Sequence, residues 1–185
     1  MLGNSKLLSI AVSVSVVVSG LTTVADVPTV TLISQPMIVM ASSEFSHDYA
    51  VANLFNADIT PADIGTANDL AGQWACNCNA ETSPVVLMDY DSSVRAGAFL
   101  YAQRGGDPAH DKVSEIKLWF YEADPGTGVT VPKAAPEEDI IVTHTSDDTI
   151  TKYNLSHPRQ GRFVVVQFIG KEGNPGGELF QLVAP

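Results

Sequence analysis

Basic residues are scarce. Ten Lys and Arg stand against 21 Asp and Glu in 185 residues, for a net charge of −11. A nucleic-acid binder needs a basic face to neutralise phosphates, and this chain has too few cations to build one. Anionic membrane surfaces are disfavoured for the same reason. Cysteine is nearly absent, with only Cys76 and Cys78, in Cys76-Asn77-Cys78. A bridge between positions i and i+2 closes a very tight loop, so the pair reads either as a strained disulfide or as two thiols. Two thiols are too few for a zinc site without histidines, and His47, His110, His144 and His157 show no ligand spacing around them. His-Glu-x-x-His, the P-loop, Gly-x-Gly-x-x-Gly and the Gly-x-Ser-x-Gly elbow are all missing. His144, Ser146 and Asp147 are adjacent in sequence, but adjacency is not the geometry of a triad. The carboxylate pairs Asp89/Asp91, Glu137/Glu138 and Asp147/Asp148 read as strand-end or loop charges. These absences point away from an enzyme. No long amphipathic helical stretch and no internal repeat stand out.

The N-terminus has an organisation of its own. Residues 1–6 are short and carry Lys6, residues 7–18 are apolar and small, and Thr23 and Ala25 sit at the −3 and −1 positions of a cleavage site. That order is the three-part layout of a secretory signal peptide, expected at residues 1–25. The apolar run falls well short of the roughly 20 residues that span a bilayer. Export permits disulfides, and no membrane insertion is expected once the signal is removed.

The rest of the chain alternates β-type runs with turn clusters. Strands are expected at 27–33, Met37–Ala41, 85–90, 94–103, Val113–Tyr121, 140–144, 149–155, 163–169 and 179–184. In Val113–Tyr121, Ile116, Leu118 and Phe120 fall on one face, with Lys117, Trp119 and Tyr121 on the other. Val164, Val166 and Phe168 share a face in the same way. Between the runs lie Gly105-Gly106-Asp107-Pro108, Asp124-Pro125-Gly126, Ser146-Asp147-Asp148 and Gly173-Asn174-Pro175-Gly176-Gly177, all turn chemistry. The best helical candidates are short, at 48–55 and 61–70, the second opening with Thr60 as N-cap and Pro61 at the first helical position. Short strands at regular spacing predict an all-β fold, an antiparallel sandwich or barrel.

The order of several motifs resembles the discoidin, or coagulation-factor type C, family. The resemblance rests on Ala41-Ser42-Ser43-Glu44, on Ala52-Asn53-Leu54-Phe55-Asn56, on Trp74, and on the strand from Pro84 to Asp89 and Tyr90. It continues in residues 94–104 and 112–121, in Arg162-Phe163-Val164-Val165-Val166, and in the closing Glu178-Leu179-Phe180-Gln181-Leu182. Asn56-Ala57 stands where the family has Asp-Gly, and Ala75 where several sugar binders have histidine.

The resemblance implies a galactose-binding-like jelly roll over residues 40–185, preceded by an N-terminal segment, 26–39, with the first strand. It also implies a structural calcium ion at the turn after Asn53, held by Asn56, Asp58, Thr60 and Glu178 with backbone carbonyls, since calcium takes six to eight oxygen ligands. Sugar recognition needs directed polar groups beside an aromatic plane. The resemblance assigns those roles to Glu44, Trp74, Arg104, His110 and Asp111, on loops at one end of the sandwich. The expected protein is a secreted or cell-surface module of a bacterial envelope that binds a glycan or another cell-surface ligand. The rival expectation is a structural or adhesive surface protein that uses the same fold for protein contact.

Overall fold

The structure is a computed structural model. It describes residues 30–44, 46–55, 59–65, 72–77, 83–104, 112–126, 130–142, 149–170 and 173–185. The strands are β1 (Met37–Ala41), β2 (Trp74–Ala75), β3 (Val85–Gln103), β4 (Val113–Tyr121), β5 (Glu138–Ile141), β6 (Thr151–Gly170) and β7 (Gly176–Val183). Every strand pairing is antiparallel.

Two strands run through both layers. The first part of β3 lies between β1 and the last part of β6, with Leu87 opposite Met40 and Val165. Past a register break between Asp89 and Val94, β3 crosses over and pairs with the first part of β6 and with β7. One layer therefore holds β1, half of β3, half of β6, β4 and β5. The other holds β2, β7 and the remaining halves. β3 starts at one end of the sandwich, turns at the other, and returns to where it began. Gly161 lets β6 pass the same corner, because a Cβ there would lie 2.8 Å from the Tyr121 backbone nitrogen.

Alternation decides which side chains fill the space between the layers. Ile116, Leu118 and Phe120 point into the core with Val164, Val166 and Phe168, as expected. Trp119 and Tyr121 face outward, against Leu87, Phe163 and Val165. The Trp119 indole donates to the Ala134 carbonyl at 3.0 Å, tying the segment beyond β4 over this outer face. The opposite outer face, Leu100, Ala102 and Leu179, is covered by Ile59 and Ile64.

The structure revises several boundaries. Residues 85–90 and 94–103 fall in one strand, and 151–155 and 163–169 in another, because the β3–β6 pairing resumes beyond their polar, exposed middles; residues 149–150 precede the strand. The strand expected at 140–144 is Glu138–Ile141. The expected helix at 48–55 is two short 3₁₀ turns, His47–Tyr49 and Val51–Leu54. The second candidate is the 3₁₀ turn Pro61–Asp63, and residues 66–70 lie outside the described residues. Its start is as expected: Pro61 opens the turn, and the Thr60 N–H and hydroxyl both donate to Asp63 Oδ2, at 2.6 and 2.8 Å. Of the first expected strand, the described part makes a single bridge, Leu32 to Val183, flanked by bonds from Ile33 N–H to Leu182 and from Ala184 N–H to Thr31. Cys76 is buried; Cys78 and residues 1–25 lie outside the described residues. Among the described residues no helix is long and apolar enough to cross a membrane.

Two carboxylates bind the strands together. Asp89 takes a bidentate pair of bonds from Arg162, at 2.8 and 2.7 Å. The Arg162 guanidinium holds the Asp89 carboxyl below its ordinary value. Burial pushes the Glu138 carboxyl up, but the Ser156 N–H and hydroxyl and Arg159 together outweigh it and hold it down. Both groups thus bind protons more weakly folded than unfolded. Their contribution is complete above the ordinary carboxylate values and is lost as pH falls through the lower folded values. Melting temperature is expected to drop as pH is taken below about 4. Thermal melts of Asp89→Asn should show a flatter acid limb than wild type; an identical limb would remove Asp89 from this account.

Candidate functional site

Both ends of β3 emerge at the same end of the sandwich, so that end gathers several loops. Ser42 and Ser43 lead out of β1. The Ser42 hydroxyl accepts from the Val85 N–H at 2.8 Å, and the Ser43 hydroxyl from the Asn77 N–H at 2.8 Å. These bonds fix the path of the chain before the two 3₁₀ turns. Glu44 is exposed, and its Oε1 accepts from the Val51 N–H at 2.8 Å. It thus caps the second turn, whose first N–H groups have no partner within the turn. Asn53 donates to the carbonyls of Asp48 and Gln73, at 3.0 and 2.9 Å, and joins these turns to β2.

Arg104 follows β3 directly and is half-buried. Its Nη1 donates to the Asn174 carbonyl at 3.1 Å. Its guanidinium carbon lies 5.5 Å from the centroid of the Tyr49 ring, which is within cation–π range. The Lys112 ammonium donates to the Arg104 carbonyl at 2.7 Å. The guanidinium is therefore oriented by an aromatic face on one side and a loop carbonyl on the other. A planar group with five N–H donors, held in this way, suits a ligand rimmed with hydroxyls.

Trp74 requires a correction. It is 0% exposed, so it offers no platform to a ligand. Its ring meets Phe168 edge-on at 5.1 Å, and its indole N–H donates to the Ser43 carbonyl at 3.3 Å. It belongs to the core, where it anchors the loop that carries Glu44. His110 and Asp111 lie outside the described residues. The structure thus brings Glu44 and Arg104 to one end, with Tyr49, Lys112 and Asn174 as neighbours that the sequence reading missed. Tyr49 lay inside an expected helix and Asn174 inside a glycine-rich turn, and neither context signals a contact with Arg104.

Of the expected calcium ligands, Asn56 and Asp58 lie outside the described residues. Thr60 is exposed and bonded to Asp63. Glu178 is 3% exposed, on the core-facing side of β7, and its Oε1 accepts from the Gln73 amide at 2.7 Å. The described donors are all oxygen atoms, the class that calcium takes, and Glu178 is the carboxylate among them. No group of three or more His, Cys, Asp or Glu side chains among the described residues is placed to hold a metal ion.

Two concavities lie away from Arg104. One, of about 320 Å³, sits over Tyr121 and Val165 beneath the segment bearing Pro125 and Pro132. The other, of about 350 Å³, sits at the corner by Asp91 and Arg162.

No protein-family model matches the sequence, and no curated protein matches it. Solved structures do match. The chain is similar to the CBM32-1 and CBM32-2 domains of Clostridium perfringens ZmpB, with TM-score 0.62 and 11% identity over 84% of this chain and 37% of that one. It is similar to an f-lectin (fucolectin) from Morone saxatilis serum, with TM-score 0.58 and 12% identity over 84% of this chain and 49% of the other. A family 32 CBM from C. perfringens NanJ, solved in complex with galactose, aligns with TM-score 0.53 and 9% identity, over 84% and 98%. Identities this low speak to the fold. The chain is an all-β antiparallel jelly roll with a galactose-binding-like fold.

Proposed function

We propose that the chain is an exported, non-catalytic carbohydrate-binding module that acts at or beyond the cell surface. It takes a glycan through the loops around Arg104. The observation that carries this reading is the Arg104 guanidinium, held over Tyr49 and bonded to the Asn174 carbonyl where those loops meet. The solved relatives support it, since they include a chitosan-binding module, a galactose complex and a fucolectin. A glycan array followed by titration calorimetry tests it. Arg104→Ala is expected to lower affinity for the wild-type ligand at least about tenfold, the scale of one lost charge-assisted hydrogen bond. An array that is flat for wild type favours the rival role, protein contact without a sugar pocket.

The same proposal includes a structural calcium ion held by Glu178 and Thr60 with the turn that follows Asn53. Such an ion would pin that turn to the edge of the sandwich. Ligand present at about a hundred times its Kd adds about 2.7 kcal/mol of stability. Millimolar calcium is therefore expected to raise the melting temperature of the EDTA-treated chain by several degrees. An unchanged melt removes calcium from the proposal and leaves the glycan reading intact.

A further inference from the structure

The corner where β3 and β6 bend carries a cleft of about 350 Å³, lined by Gln35, Met37, Asp89, Tyr90, Asp91 and Arg162. Strand register brings them together. Met37 pairs with Asp89, and Asp89 pairs with Phe163, so the start of β1 and the bends of β3 and β6 meet here. The cleft lies at the far end of the sandwich from Arg104.

Arg162 is held on two sides. Its Nε and Nη2 donate to Asp89, and its guanidinium carbon lies 4.9 Å from the Phe163 ring centroid. Its side chain is nonetheless 40% exposed, while that of Asp89 is 8% exposed. A rigid planar donor therefore remains accessible from the cleft. Asp91 supplies the opposite chemistry. It is exposed, its N–H donates to Asp89 Oδ1 at 2.8 Å, and its φ is +66°. It is the one non-glycine residue with positive φ among the described residues. Glycine would take that conformation without the cost an L side chain carries, about 1–2 kcal/mol. Aspartate enters this region more readily than most side chains do, and here it leaves an exposed carboxylate at the cleft. Met37, 64% exposed, adds an apolar wall.

A fixed donor plane, a carboxylate acceptor and an apolar wall match a neutral pyranose. Vicinal hydroxyls donate and accept together, and the C–H face of the ring packs on apolar surface. Anionic ligands are disfavoured by Asp89 and Asp91 beside the cleft and by the chain's charge of −11.

We propose that this corner cleft is a second carbohydrate-binding site, which takes a neutral pyranose through Arg162, Asp91 and Met37. It does not depend on the Arg104 site, and the two are tested separately. The isotope-labelled full chain is titrated with galactose, N-acetylgalactosamine and fucose while amide shifts are followed by NMR. Saturable shifts are expected at Asp91 and Arg162, and they should persist in Arg104→Ala. Asp91→Gly is expected to melt no lower than wild type and to weaken binding at the corner about tenfold. Absence of saturable shifts at Asp91 and Arg162 with all three sugars overturns the proposal, as does unchanged corner affinity in Asp91→Gly. Shifts confined to the Arg104 end overturn the corner site and leave the first reading standing; shifts confined to the corner do the reverse.

Discussion

Trp74→Ala is expected to destabilise the protein by about 3–5 kcal/mol, the range for removing a large aromatic from a packed core. The ring has no exposed surface and sits against Phe168, which in turn meets Tyr101 and Phe180 at centroid distances of 5.9 Å each. Its loss leaves a cavity at the junction of both layers and frees the Ser43 carbonyl from its indole partner. For a domain of this size each kcal/mol corresponds to roughly 2–4 °C, so a fall in melting temperature of about 6–20 °C is expected by circular dichroism. Trp74→Phe should recover much of it, because an edge-on aromatic contact with Phe168 survives. A ligand platform would behave otherwise: the alanine variant would lose ligand and keep its melting temperature.

Gly176→Ala is expected to cost about 3 kcal/mol, the upper end of the overpacking range. A Cβ at this position would stand 1.9 Å from the Trp74 carbonyl oxygen and 2.9 Å from the Ala75 Cα. These are backbone atoms, so no rotamer change relieves the clash, and the β2–β7 pairing of Ala75 with Gly176 must open. The Tyr101 hydroxyl, which donates to the Gly176 carbonyl at 2.6 Å, is strained at the same time. The buried phenol keeps Gln103 Oε1, at 3.2 Å, as its other acceptor. Chemical denaturation gives the measurement: a midpoint equal to wild type would mean that β2 shifts aside without loss.

The sequence exposes much of the fold and less of the site, for physical reasons. β1 and β4 have the limits expected of them, because each is a run of β-type residues closed off by polar or turn residues, Ser42-Ser43 after β1 and Asp124-Pro125-Gly126 soon after β4. β3 and β6 were each read as two strands, because Asp91-Ser92-Ser93 and Ser156-His157-Pro158 look like turns. Polar residues mark solvent, and the outside of a bent strand is as wet as a loop. Trp74 misled for a related reason. An indole beside a polar loop suits both a sugar and a core, and only Phe168, far along the chain, decides which. Arg104 was singled out through the family resemblance, which puts an Arg at this strand end. Its partners Tyr49 and Asn174 were not, since they are distant in sequence and come from segments without regular pattern.

The course of β3 and β6 also bears on how the molecule comes apart. In a sandwich made of two separate sheets, one layer can peel from the other while both keep their ladders. Here β3 and β6 are covalently continuous across the corner and pair on both sides of its register breaks, so neither layer can leave without pulling on the two central strands of the other. Amide exchange from Leu87, Phe99, Tyr153 and Val165 should therefore proceed through one shared opening, with a single free energy equal to that of global unfolding. Assembly has the mirror constraint. β3 must find β6 and β7 before either layer has a centre, and closure of such long loops before any contact rewards it makes folding slow, on the order of milliseconds to seconds.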